Sequence, residues 1–192
     1  MAEKGELIFI TGGVRSGKSS FAELLAVRLA SKSGANLHYI ASGQASDLEM
    51  KERITRHQKQ REESGYKWTT WEQSVELAQL STVFHDNDLV LFDCLTTLLN
   101  NEFFKNGNQW RERPFREEIT QSILKGIAMI QRSCKSLIIV SNEVLFEPTG
   151  TSELVFTYGK VLGNLHQAIV ARASHGYHVE AGIPLLIKGE SL

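Results

Sequence analysis

Leu7-Ile8-Phe9-Ile10-Thr11-Gly12-Gly13-Val14-Arg15-Ser16-Gly17-Lys18-Ser19 is the stretch on which the fold turns. Its first four residues form an unbroken apolar run, the pattern of a strand covered on both faces. Gly12 to Ser19 then spell G-x-x-x-x-G-K-S. From Ser20 to Ser31, Phe21, Leu24, Leu25, Val27 and Leu29 recur at helical spacing. A strand, a glycine-rich loop and a helix, in that order, are the context in which this octapeptide binds phosphate. Its glycines allow the backbone to turn N–H groups inward around oxygens. The helix N-terminus adds partial positive charge at the same point. Gly12, Gly13, Val14, Arg15, Ser16, Gly17, Lys18 and Ser19 are therefore the first candidate nucleotide-binding residues. Lys18 is suited to the β- and γ-phosphates, Ser19 to a Mg²⁺ ion, and Arg15 supplies a further cation.

Outward from that stretch, apolar runs alternate with helical patterns. Leu37–Ala41, Leu89–Phe92 and Leu137–Val140 read as further strands. Leu185–Ile187 reads as a closing strand after Gly182 and Pro184. Ile119, Ile123, Ile127 and Ile130 lie on one face of a helix, and Glu153 to Ala173 predict another. This alternation is that of an α/β fold with a mainly parallel sheet and helices on both faces. Phe103 to Pro114, containing Asn106-Gly107-Asn108, reads as a loop insertion. With no repeat or linker in view, residues 1–192 are expected to form a single nucleotide-binding domain.

Composition excludes several classes of function. A formal net charge of −1 argues against a broad nucleic-acid surface. No apolar stretch approaches the ~20 residues needed to span a bilayer. The N-terminal segment does not read as a signal peptide, so a cytoplasmic protein is expected. Cys94 and Cys134 sit in apolar surroundings without metal-ligand spacing, which predicts buried thiols in a reducing compartment.

The loop alone does not choose among kinases, nucleotidyltransferases and ATPases. Asp93, directly after a strand, is a natural second carboxylate for Mg²⁺, so Ser19 and Asp93 are the candidate metal residues. Ser46 to Glu49 have capping-box spacing and predict a helix start. In that helix Arg53, His57 and Arg61 stand four residues apart, with a guanidinium one turn before and one turn after the imidazole. Flanking cations favour neutral imidazole, which can attack phosphorus and form a phosphoramidate. A surface histidine on a charged helix would show the same spacing, so pattern nominates His57 without electing it.

Five blocks in order then carry a resemblance: Thr11–Ser19, Tyr39–Gln44, Glu49–Arg61, Trp68–Glu72 and Asp93–Thr97. Together they resemble the bifunctional adenosylcobinamide kinase / adenosylcobinamide-phosphate guanylyltransferase of cobalamin assembly. The resemblance implies phosphorylation of adenosylcobinamide with GTP or ATP. It then implies transfer of GMP from GTP to adenosylcobinamide phosphate through a guanylylated histidine, with release of pyrophosphate. The nucleophile falls on His57, with Lys18 as the second catalytic residue. Nucleotide contacts carry over to the loop, to Ser42, Gly43 and Gln44, to Gln58, Lys59, Gln60 and Arg61, and to Glu72 and Asp93. Arg53, Lys59 and Arg61 are expected to offset phosphate charge. A RecA-like sheet and a homo-oligomer, specifically a trimer, are implied as well.

In the second half the resemblance is weaker, resuming at Ser141-Asn142-Glu143-Val144 and at Ala181-Gly182-Ile183-Pro184-Leu185. There the chain departs at Leu145 to Pro148 and at Gly163-Asn164-Leu165-His166-Gln167, a region expected to serve the corrinoid site or the kinase step. Two other readings stay open on the residues. One is a P-loop kinase without a covalent intermediate, and the other is a non-catalytic RecA-like nucleotide-binding module.

Overall fold

The computed structural model describes residues 5–43, 48–143, 152–190 and 192. Among these, seven strands make one sheet: β1 Glu6–Gly12, β2 Asn36–Ala41, β3 Trp68–Glu72, β4 Asp88–Asp93, β5 Ser136–Asn142, β6 His175–Glu180 and β7 Ile183–Lys188. Their spatial order is β3-β2-β4-β5-β1-β6-β7, with every pairing parallel except β6 with β7. The helices between them are α1 Lys18–Ser33, α2 Leu48–Glu63, α3 Leu95–Phe104, α4 Arg113–Ser133 and α5 Glu153–Arg172.

Alternate residues of the central strands serve two separate cores. Ile8, Ile10, Ile138 and Val140 pack with Ala22, Leu25 and Ala26 of α1. Leu7, Phe9, Leu137 and Ile139 pack with Leu98, Ile123 and Leu162 on the opposite face. Burial on both sides is why these strands read as continuous apolar runs. The register sets Gly12 opposite Asn142 on one side, and Thr11 opposite His178 on the other. The carboxyl ends of β1, β4 and β5 thus meet at one rim, where open parallel sheets bind ligands.

Helix ends follow local chemistry. Gly34 closes α1 in the left-handed region, its N–H donating to Ala30 O at 2.8 Å. Pro114 sits in the first turn of α4, where its missing N–H costs nothing. Ser152 caps α5, its hydroxyl accepting from the Val155 N–H at 3.4 Å.

Three elements escape the sequence reading: β3, α3 and β6. The predicted loop Phe103–Pro114 needs correction. Phe103 falls in the last turn of α3, residues Gly107–Arg111 form a 3₁₀ turn, and Pro114 already belongs to α4. The segment is anchored because buried Trp110 stacks on Phe103, ring centres 6.2 Å apart. The helix expected from Ser46 is present as α2, while Ser46 and Asp47 lie outside the described residues. Both cysteines are buried and unbridged, and burial pushes the Cys134 thiol up to about 12. Among the described residues no helix is long and apolar enough to cross a membrane.

Candidate active site

β1 delivers its last residue into a tight loop. A Cβ added at Gly12 would stand 2.4 Å from Val179 O and 2.7 Å from Ser16 Oγ, so close approach to β6 demands glycine there. Gly17 has φ +91° and forms the N-cap of α1. The turn between β6 and β7 closes over the loop, with the Gly182 N–H donating to Ser16 O at 2.8 Å. Lys18 is buried, and its ammonium donates to Gly13 O at 3.0 Å across the loop. Ser19 is buried beside it in the first turn of α1. Val14 and Arg15 face solvent. Ser16 Oγ is buried without a hydrogen-bond partner among the described residues. A buried hydroxyl left unsatisfied in this loop fits one built to receive an oxyanion.

One turn along α1 from Ser19, the buried Glu23 carboxylate points toward α2. Arg61 donates to Glu23 Oε1 at 3.1 Å, and its guanidinium lies 3.8 Å from the centre of the Tyr39 ring. His57 is buried as well, with Nδ1 3.5 Å from the same Glu23 oxygen. That separation lacks hydrogen-bond alignment, and Nδ1 has no hydrogen-bond partner among the described residues. The ring is thus near a carboxylate without being locked to it. Tyr39 donates to Asp93 Oδ2 at 3.2 Å. Burial first, and the Asp93 charge next, raise its phenol well above the ordinary tyrosine value, so it remains a donor.

A cavity of about 90 Å³ joins these groups. His57, Gln58, Arg61, Glu72, Asp93 and Gly43 line it, together with Tyr39, Ala41, Thr70, Cys94 and Thr97. Six of the expected site residues therefore share one cavity, although they come from α2, β3 and β4 or the turn after β2. Lys59 is not among them. Two positions after His57, it projects into solvent and pairs with Glu63 at 3.7 Å. Ser42 is fully buried in a structural role: its hydroxyl donates to Cys94 O at 2.8 Å and accepts from the Cys94 N–H at 2.9 Å. Gln44 lies outside the described residues, as do the side chains of Arg53 and Gln60.

The site also contains residues that sequence reasoning missed. Glu23 carried one signal, its position four residues after Ser19 in the helix that follows the loop. Tyr39 stood inside a quoted block but was given no task. Thr70 and Thr97 likewise stood inside the Trp68–Glu72 and Asp93–Thr97 blocks without a task. Among the described residues, no cluster of three or more His, Cys, Asp or Glu side chains could hold a metal ion by themselves.

Sheet order, loop and helix define a P-loop nucleotide-binding protein with a RecA-like sheet. The flagellar accessory protein FlaH from Methanocaldococcus jannaschii superposes with a TM-score of 0.51 at 14% identity, covering 97% of this chain and 80% of that one. A KaiC-like protein from the hyperthermophilic archaeon Pyrococcus horikoshii OT3 gives 0.51 at 13% identity, covering 98% and 81%. At these identities the likeness speaks for fold alone. The sequence narrows the class further. The profile of the family described as cobinamide kinase / cobinamide phosphate guanyltransferase matches residues 8–187, and the chain belongs to that family. The bifunctional adenosylcobalamin biosynthesis protein CobP of Pseudomonas aeruginosa is 37% identical over 186 residues, 95% of this chain and 98% of that one. Its CobU counterpart in Escherichia coli strain K12 is 31% identical over 187 residues, 95% and 99% of the two chains. The protein is accordingly a bifunctional transferase of cobalamin biosynthesis, a cobinamide kinase and cobinamide phosphate guanylyltransferase.

Proposed function

We propose that the Gly12–Ser19 loop holds the triphosphate of GTP or ATP and that His57 carries GMP between GTP and adenosylcobinamide phosphate. The observation that carries this is the setting of His57: buried, beside the Glu23 carboxylate, in one cavity with Arg61, Glu72 and Asp93. A carboxylate near Nδ1 favours the proton on that nitrogen and leaves the Nε2 lone pair for attack. Nε2 bonds to the α-phosphorus as the bond to pyrophosphate breaks. An oxygen of adenosylcobinamide phosphate then attacks the same phosphorus, the imidazole leaves, and adenosylcobinamide-GDP forms. Arg61 and Lys18 offset the charge gathered on the phosphate oxygens in both steps.

Mg²⁺ fits the same reading, with the Ser19 hydroxyl and the Asp93 carboxylate as its protein ligands. Mg²⁺ commonly uses one or two protein oxygens and completes its shell with phosphates and water, so a cluster of protein carboxylates is not required. When bound, it would neutralise phosphate charge. In the kinase step the γ-phosphoryl group passes to the aminopropanol hydroxyl of adenosylcobinamide. We read residues 1–192 as one nucleotide-binding domain working in the cytoplasm. Exposed Ile183, Leu185, Leu186 and Ile187 on the outer strand β7 favour a homo-oligomer, a trimer by the resemblance.

The test is incubation with α-labelled GTP and Mg²⁺, then denaturation. Label that is acid-labile, alkali-stable and lost in His57→Ala supports the covalent route. Absence of label while GTP binds would refute it and leave a kinase without a covalent intermediate.

A further inference from the structure

Glu143 is the first residue beyond β5, and none of the steps above uses it. Its N–H donates to Gly12 O at 3.0 Å, fastening it to the mouth of the phosphate loop. Its carboxylate crosses the end of β1. Thr11 Oγ1 donates to Oε1 at 3.4 Å, and His178 Nδ1 of β6 lies 3.2 Å from the same oxygen. The far nitrogen of His178 is 3.5 Å from Glu180 Oε2. Glu143 is 19% exposed and His178 26%, so the pair is sheltered yet reachable from the rim.

The other carboxylates near the nucleotide have different tasks. Glu23 is taken by Arg61, Asp93 accepts from Tyr39, and Glu72 lines the His57 cavity. Glu143 stands across the sheet from them. Thr11 and Ser141 belong to the face that packs α5, where Ser141 Oγ lies 2.8 Å from His166 Nε2. An acceptor approaching the γ-phosphate from that side would meet Glu143 before any residue of the His57 cavity.

We propose that Glu143, oriented by His178, takes the proton from the acceptor hydroxyl in the kinase half-reaction. As the hydroxyl oxygen bonds to the γ-phosphorus, its proton passes to a Glu143 oxygen. The bond from the γ-phosphorus to the β,γ-bridging oxygen breaks, and a nucleoside diphosphate leaves. The proton returns to solvent when the phosphorylated product departs. His178 is a positioning residue, holding the carboxylate against the end of β1. The assignment separates the two activities by place, with the phosphoryl acceptor served on the α5 side of the rim and the guanylyl carrier on the α1 side. It rests on the reading that the Gly12–Ser19 loop holds the donor triphosphate, which loss of nucleotide binding in Lys18→Ala tests independently.

The experiment compares wild type, Glu143→Gln and His178→Gln in two assays: phosphate transfer from γ-labelled nucleotide to cobinamide, and labelling of the protein by α-labelled GTP. Glu143→Gln is expected to lower the kinase kcat about 100-fold or more, the scale of a lost general base. Its KM values should stay within about threefold, as befits an interaction made in the transition state. Labelling by GTP should keep its wild-type rate. His178→Gln should lower kcat about tenfold, again without a matching rise in KM. A kinase kcat retained in folded Glu143→Gln overturns the proposal. So does a parallel loss of both assays, which would make Glu143 a support of the loop. Should Glu143→Gln not fold, an unchanged kcat in His178→Gln overturns it equally. Absence of label in every variant, wild type included, refutes the His57 route and leaves the kinase comparison standing.

Discussion

Two neighbouring glycines of the phosphate loop should respond very differently to the same added methyl group. At Gly12 a Cβ would lie 2.4 Å from a backbone oxygen of β6, about 1 Å inside ordinary van der Waals contact. That oxygen cannot swing aside, because β6 is held in register against β1 from Ile8↔His175 to Thr11↔His178. Gly12→Ala must therefore move backbone, an overpacking strain of about 1–3 kcal/mol. At Gly13 a Cβ meets nothing within 4 Å and φ is not in the left-handed region, so Gly13→Ala should stay within about 0.5 kcal/mol of wild type. For 192 residues the unfolding entropy is about 0.4 kcal/mol/K, which converts the Gly12 strain into a Tm loss of roughly 3–8 °C. Differential scanning calorimetry without nucleotide reads both variants directly. Equal Tm losses at the two positions would refute the reasoning, as would a Gly12→Ala protein that melts with wild type.

Two further outcomes follow from the buried polar groups. Glu23→Ala strands the Arg61 guanidinium and should cost about 3–5 kcal/mol in denaturant unfolding. A double-mutant cycle with Arg61→Ala should show coupling of at least about 1 kcal/mol, whereas additivity within about 0.3 kcal/mol would deny the pairing. His166 makes stability depend on pH, because burial lowers its imidazole to about 4 from an ordinary 6.5. The unfolded chain takes up a proton below about 6.5 while the folded ring does not, so this group costs nothing above that pH and erodes stability as pH falls toward 4. The gap is worth roughly 3 kcal/mol, and His166→Gln should flatten the Tm–pH curve across that window. An unchanged curve would exclude the buried neutral ring.

The fold was legible where burial on both faces left apolar runs, as in β1, β4 and β5. It was illegible in β3 and β6, whose sequences carry no apolar run, whereas the edge strand β7 kept one and was read. β3, Trp68-Thr69-Thr70-Trp71-Glu72, is half exposed, and β6 opens His175-Gly176, so neither shows the apolar run of a covered strand. Helix α3 was hidden because its buried leucines follow directly on the apolar β4, and Phe103 and Trp110 find each other only in three dimensions. The site divides in the same way. The phosphate loop is contiguous and declares itself. The partners of His57 come from several separate elements, and spacing along α2 could not show that Arg61 faces inward while Lys59 faces water. Family resemblance named Arg61, Glu72 and Asp93. It did not name Glu23, whose meaning depends on α1 packing beside α2.

The brace that the β6–β7 turn places on the phosphate loop orders events during synthesis. Ser16 leaves the ribosome long before Gly182, whose N–H completes the loop's surroundings. At about 5–20 residues per second the wait is on the order of ten seconds or more. Throughout that interval β1 lacks its β6 neighbour, and the loop lacks the strand that shapes Gly12. A triphosphate stabilises only a conformation that it binds. The surroundings of the loop are complete only once the hairpin that carries Gly182 has docked.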